Sequence, residues 1–72
     1  MKLKELGFYL LDSATQISPE GNIRRLVYMS DKYVLDFYNE TFQAYYKNGT
    51  AAVLYPEEVE AVYEQMKELK WL

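Results

Sequence analysis

The chain has 72 residues, contains no cysteine and no histidine, and carries a formal charge of −3 at neutral pH. Its length predicts one domain with a marginal core that supplies about 3–5 kcal/mol of net stability. The missing residue types exclude disulfides, thiolate or imidazole metal sites, and catalysis by cysteine or histidine. Self-association is then the simplest remaining source of stability.

The excess of acidic residues lies near the C-terminal end. Residues 1–55 contain six basic and six acidic residues, whereas residues 56–72 contain five glutamates and two lysines. A chain with this balance lacks the positive track that binds phosphate backbones. The first twelve residues do not have the pattern of a secretory signal, and no apolar run approaches the roughly 20 residues of a membrane span. We therefore expect a cytoplasmic protein without a membrane partner.

Strand-like segments occupy most of residues 1–55. They are rich in tyrosine, phenylalanine, valine and leucine, which favour a half-buried sheet. Four of them cover residues 7–12, 22–30, 33–38 and 41–47, and residues 50–55 are a candidate fifth. The polar residues 13–21 are predicted to form a loop. Further turns are predicted at 31–32, at Asn39-Glu40 and at Asn48-Gly49, and the last pair is typical of a type I′ hairpin.

A helix is predicted over residues 56–70. Five apolar residues recur there with helical spacing and would share one face: Val59, Val62, Tyr63, Met66 and Leu69. Pro56 suits the first helical position, and the glutamates after it suit the positive end of the helix dipole. The predicted fold is α+β: an antiparallel meander of four strands, or five if residues 50–55 pair, covered on one face by a C-terminal helix.

Two-residue turns at 31–32 and 39–40 determine the predicted register of the central strands. In that register one face of the sheet carries three facing sets: Leu26–Phe37–Phe42, Tyr28–Leu35–Ala44 and Tyr33–Tyr46. This face is almost purely apolar and matches the apolar stripe of the helix, so we expect it to form the core. A type I′ hairpin at 48–49 would add Ala51 and Val53 to the same face.

The opposite face of the predicted sheet is about half apolar, although a solvated face is normally polar. It also carries Val27, Thr41 and Gln43, and the first strand would add Tyr9 and Leu11. Six of its residues form the predicted protein-interaction site: Arg25, Met29, Val34, Asp36, Tyr38 and Tyr45. We expect it to bind a second copy of the chain, or another protein. A two-fold axis there could pair Arg25 of one chain with Asp36 of the other, and an unpaired edge strand is an alternative dimer contact.

Other functions are compatible with the same residues. Arg24 and Arg25 lie among aromatic residues, as in proteins that bind single-stranded nucleic acid by stacking, although a cross-strand pair of Arg25 with Asp36 explains the same pattern. The helix glutamates could hold a divalent cation or mimic phosphate, but usually form a solvated face: Glu57, Glu60, Glu64 and Glu68. The serines have no histidine partner, so we expect no enzyme, no metal, no cofactor and no small-molecule substrate.

The two ends of the chain carry short motifs. "LKELGF" at 3–8 and "PEEVEAVYEQMKELKW" at 56–71 resemble the ends of small uncharacterised proteins encoded by prophages and other mobile elements of Gram-positive bacteria. The resemblance implies short strands closed by a helix, and a context without a particular activity. Lys70 stands where that group has glycine, so we expect the helix to lack a left-handed cap. The leading hypothesis is a homodimer or an accessory factor acting on a host or phage protein.

Overall fold

The computed structural model describes residues 2–72. Its elements are, in chain order, a 3-10 helix η1 (Leu3–Leu6), β1 (Tyr9–Leu10), a 3-10 helix η2 (Asp12–Ala14), β2 (Gln16–Ile17), β3 (Ile23–Met29), β4 (Tyr33–Tyr38), β5 (Thr41–Tyr46) and α1 (Pro56–Glu68). The strands form one antiparallel sheet in which β4 lies between β3 and β5, and β1 and β2 both pair with β3. The predicted α+β fold, an antiparallel meander with one C-terminal helix, is confirmed.

The three long strands pair in the predicted register. Phe37 lies opposite Leu26 and Phe42, and every other predicted pair among these strands is also present. The β4–β5 connection is the expected two-residue turn, in which Asn39 and Glu40 have φ values of 49° and 63°. Positive φ at both positions is what a type I′ turn requires, and its twist matches that of the flanking strands.

The core lies between the sheet and α1. Phe37 and Leu35 are fully buried at the centre of the sheet, and the helix places Ala61 and Val62 in the same cluster. Neighbouring rings pack along this face, with centroid separations of 6.1, 5.7 and 5.2 Å for Phe8–Tyr33, Tyr33–Tyr46 and Phe37–Phe42. The aromatic residues predicted to face the helix therefore pack against one another in the core.

The N-terminal segment also contributes to the core. The predicted strand 7–12 is reduced to Tyr9–Leu10, because η1 precedes it and Gly7 turns the chain with a φ of 91°. This turn carries both Leu3 and Phe8 into the buried cluster. The predicted loop at 13–21 was wrong in part, since Gln16–Ile17 form β2 against β3.

The hairpin after β5 contains one more loop residue than predicted. Gly49 has a φ of 91°, but Asn48 is not among the residues with positive φ. The Gly49 N–H donates to the Tyr46 carbonyl at 2.9 Å, and the Tyr46 N–H donates to the Thr50 carbonyl at 2.8 Å. The loop therefore consists of residues 47–49, and the predicted type I′ pair at Asn48-Gly49 was wrong.

The extra loop residue exchanges the faces of the segment that follows. Ala51 forms a single bridge with Tyr45 in place of the predicted fifth strand. Ala52 and Leu54 now pack against the core, while Val53 is 79% exposed. The predicted placement of Ala51 and Val53 on the core face was wrong, because a shift of one residue turns every side chain of an extended segment to the other side.

The helix ends with a left-handed cap, contrary to expectation. α1 stops at Glu68, and Lys70 has a φ of 62°. The Lys70 N–H donates to the Lys67 carbonyl and the Trp71 N–H to the Met66 carbonyl, both at 3.0 Å, which is the Schellman arrangement. Trp71 also packs against the core, and this contact, together with the two hydrogen bonds, holds Lys70 in the conformation that glycine usually adopts.

Two residues of the predicted helical core stripe are not in the core. Val59 and Tyr63 are each 54% exposed, whereas Ala61 and Val62 are buried. The reason is the rotation of the helix about its axis: η1 packs against α1 on one side, and the small side chain of Ala61 allows close approach. The flank that carries Val59 and Tyr63 is turned outward as a result.

Candidate interaction surface

The sheet face that α1 leaves uncovered carries its side chains in rows across the strands. Strand pairing aligns three such rows, which together define the uncovered face: Tyr9–Met29–Val34–Tyr45, Val27–Asp36–Gln43 and Gln16–Arg25–Tyr38–Thr41. All six residues of the predicted interaction site belong to these rows. The structure thus brings them together on one surface.

The first row is apolar along its whole length. Tyr9 is 51% exposed, and Met29, Val34 and Tyr45 are partly buried by their neighbours. Facing Cβ atoms on paired strands lie about 4.5–5.5 Å apart, so the four side chains form a continuous strip. The Tyr45 hydroxyl donates a hydrogen bond to the Gln43 side-chain carbonyl, which links the first row to the middle row.

The only charges in the three rows, those of Arg25 and Asp36, are paired with each other. The Arg25 Nε donates to Asp36 Oδ1 at 3.1 Å and its Nη2 donates to Oδ2 at 2.9 Å. These hydrogen bonds raise the pKa of Arg25 above its usual value. The guanidinium also lies 5.7 Å from the centroid of the Tyr38 ring, where a cation is attracted by the ring face. The pair forms within one chain, as the cross-strand interpretation predicted.

The uncovered face is narrower than the sequence suggested. Val27 belongs to its middle row but is buried. The backbone of Leu11 is hydrogen-bonded to the Val27 carbonyl at 2.8 Å, and η2 contacts β3. The chain between β1 and β2 therefore covers the face at Val27, and the most exposed aromatic residues of the face are Tyr9 in β1 and Tyr38 in β4.

A second exposed apolar surface, absent from the predictions, runs beside the helix. Tyr55, Val59 and Tyr63 are spaced four residues apart, which places them along one flank of α1, and the exposed Val53 precedes them. We call these four residues the helix flank. The Lys67 ammonium lies 5.4 Å from the Tyr63 ring centroid. The sequence pattern did not predict this surface, because the helical spacing placed Val59 and Tyr63 on the core face of the helix.

The acidic side of the helix has no geometry for binding a metal. Within residues 2–72, no three carboxylates lie close enough together to hold a metal ion. Glu68 instead forms an ion pair with Lys2, and the hydrogen bond between them raises the pKa of Lys2. This contact joins the N-terminal segment to the end of α1. The described part of the chain also contains no helix with the length and apolar character needed to cross a membrane.

Comparison of the chain with protein-family models, with curated proteins and with solved structures finds no match. The function must therefore be inferred from the surfaces of the molecule itself.

Proposed function

We propose that the protein is a small non-catalytic interaction module that binds a second copy of itself through the uncovered face. The observation that carries the proposal is the continuous apolar row Tyr9–Met29–Val34–Tyr45. An antiparallel sheet face in contact with water is normally polar. Tyrosine is also a frequent interface residue, because it adds a large contact area at a low cost in side-chain entropy.

The small size of the chain supports self-association on this face. A domain of 72 residues without a disulfide gains stability by burying apolar surface on a second copy. A two-fold axis on the uncovered face would stack one sheet on the other at a separation of about 10 Å, the usual spacing of packed sheets. The same surface patch of each copy would then face the other, as a closed symmetric dimer requires.

The Arg25–Asp36 pair is compatible with such an interface. A charge buried without a partner is strongly unfavourable, whereas a charge pair with two hydrogen bonds is much less so. Because Arg25 and Asp36 satisfy each other within one chain, an incoming surface need not provide a counter-charge. The same pairing argues against binding of single-stranded nucleic acid on this face. Arg25 is the only basic residue in the three rows, and its charge is already neutralised by Asp36.

The biological setting is part of the proposal. The motifs at 3–8 and 56–71 support a bacterial, cytoplasmic context of the prophage type. A dimer of this kind would act there as an accessory factor for a host or phage protein.

Light scattering on purified protein tests the proposal. We expect the parent to be a dimer and the variant Tyr9→Ser/Tyr45→Ser to be a monomer with unchanged far-UV circular dichroism. The control is Val59→Ser/Tyr63→Ser, which removes two exposed apolar residues from the helix flank and should remain a dimer. A parent that is monomeric at high micromolar concentration would contradict self-association. A control that dissociates while the first variant stays dimeric would move the interface to the helix.

Salt dependence separates the proposal from nucleic-acid binding. An apolar interface between two copies should change little as the salt concentration rises, whereas a complex with single-stranded nucleic acid should weaken steeply. Scattering and oligonucleotide-binding measurements over the same salt range distinguish the two.

A further inference from the structure

A groove of about 500 Å³ lies between the C-terminal end of α1 and the β4–β5 turn. The residues that give it chemical character are Asn22, Arg24, Asn39, Glu40, Lys70 and Trp71. None of them belongs to the uncovered face or to the helix flank. Its volume is within the range of small-molecule sites in proteins.

Unusual backbone conformations are concentrated in this groove. Among the described residues, three glycines have positive φ and none of them lines the groove: Gly7, Gly21 and Gly49. Three other residues also have positive φ, and all of them line it: Asn39 at 49°, Glu40 at 63° and Lys70 at 62°. Outliers of this kind cluster at functional sites, where the surrounding structure holds them in place.

Two of these conformations place a charge where glycine would be easier to accommodate. Glu40 occupies the second position of a type I′ turn, and Lys70 occupies the position after the helix cap; both positions favour glycine. A left-handed conformation is unfavourable for side chains such as these. The fold nevertheless presents a carboxylate and an ammonium group to the same groove.

The two cations of the groove are available for an anion. In the part of the chain that the structure describes, neither Arg24 nor Lys70 forms an ion pair with a carboxylate. The backbone around them is well anchored: the Asn39 N–H donates to the Arg24 carbonyl at 3.0 Å, and the Trp71 N–H donates to Met66 at the same distance. The groove thus combines free cations with an indole ring held by the helix cap.

We infer that this groove binds a ligand of the nucleoside monophosphate class, with its base against Trp71 and its phosphate between Arg24 and Lys70. Bases stack on aromatic side chains irrespective of their identity, and guanidinium and ammonium groups are the usual phosphate ligands. The carboxamides of Asn22 and Asn39 can pair with base edges, and a carboxylate such as that of Glu40 can accept the hydroxyl hydrogen bonds of a ribose.

The single tryptophan of the chain provides the readout. Titration with AMP and with CMP should quench Trp71 fluorescence and reach saturation. Adenosine, which lacks the phosphate, and inorganic phosphate, which lacks the base, should each bind at least about tenfold more weakly, because each loses one set of charged or stacking contacts. Absence of saturable quenching by both monophosphates would overturn the inference.

Two variants test the assigned cations without unfolding the protein. Lys70→Gly removes a charge and at the same time eases the left-handed backbone, so it should weaken AMP binding about tenfold or more while raising the melting temperature. Arg24→Gln should weaken binding similarly. Lys47→Gln, at the opposite end of the sheet, is the control and should bind AMP as the parent does. Parent-like binding by Lys70→Gly, or equal weakening in the Lys47 control, would contradict the site.

A comparison of AMP with a short oligoadenylate decides whether the ligand is a free nucleotide or the end of a nucleic-acid strand. Free monophosphates are the ligand if a short oligoadenylate binds Trp71 no more tightly than AMP. A strand end is the ligand if the oligonucleotide binds more tightly and with a steeper salt dependence. Either result supports the groove as the nucleotide-binding site, and neither depends on whether the uncovered face forms a dimer.

Discussion

The two faces of the sheet are built from the same strands but have different environments. Phe37 and Tyr38 are adjacent in β4, yet Phe37 is fully buried and Tyr38 is 45% exposed. Tyr45 and Tyr46 differ in the same way, since Tyr46 packs against the core and Tyr45 belongs to the uncovered face. Successive side chains of a strand point to opposite sides. Strand parity, and not residue type, therefore separates the aromatic residues that stabilise the fold from those proposed to bind a partner.

The largest expected effect is the loss of the central core ring. Phe37→Ala should lower the free energy of unfolding by about 3–5 kcal/mol, as for other buried rings, which is most of the stability of so small a domain. Tyr38→Ala, one residue away, should cost far less and is the matched control. Urea unfolding of both variants measures the difference. Equal losses would mean that the two faces do not differ as the structure indicates.

The loop at 47–49 tests how the faces are assigned beyond β5. Gly49→Ala should lower stability by about 1–2 kcal/mol, because alanine is strained at positive φ. Asn48→Ala should cost less, since it removes only the two exposed hydrogen bonds that the Asn48 side chain accepts from the Thr50 N–H and hydroxyl and leaves the backbone unstrained. Thermal melts of the two variants provide the comparison. Losses of similar size would favour the two-residue turn, in which both positions have positive φ, and would return Val53 to the core face.

Ionisation of a tyrosine on the covered face links stability to pH. Burial, and to a smaller extent the nearby Glu68, raises the pKa of Tyr28, whose hydroxyl donates to Gln65 at 3.0 Å. The neutral phenol is therefore favoured in the folded state. Its contribution is present below the unfolded-state pKa of about 10 and is lost as the pH rises through the higher pKa of the folded protein. Urea unfolding on either side of pH 10 should show a smaller alkaline loss for Tyr28→Phe than for the parent. Identical losses would show that Tyr28 does not titrate differently on folding.

The smallest expected effect concerns the charge pair of the uncovered face. Arg25→Gln and Asp36→Asn should each destabilise the chain slightly. The double variant should be at least as stable as the less stable of the two single variants, because each substitution removes the same bidentate contact. A double-mutant cycle by urea unfolding measures the coupling. Strictly additive losses would indicate that the pair is not formed in solution. The same variants should leave Trp71 fluorescence unchanged, since neither residue lines the groove.

The features that depend on neighbouring residues could be predicted from the sequence. Two-residue turns and strand alternation specified the register of β3, β4 and β5, and therefore which aromatic residues face the helix. The change from a period of two to a period of 3.6 after residue 55 specified the helix. Each of these signals lies within a dozen residues, so no knowledge of distant contacts was needed. The predicted interaction residues share one face for the same reason.

How these elements pack against one another depends on long-range contacts. Helical spacing allows several rotations about the helix axis, and the packing of η1, more than fifty residues away in the chain, selects the one that exposes Val59 and Tyr63. The left-handed Lys70 depends likewise on the contact of Trp71 with the core. The groove joins residues 22–24, 39–40 and 69–71, whose separation in the sequence hides their proximity. Long-range packing energies select among conformations that local preferences leave nearly equal in free energy, which is why no local pattern could indicate this site.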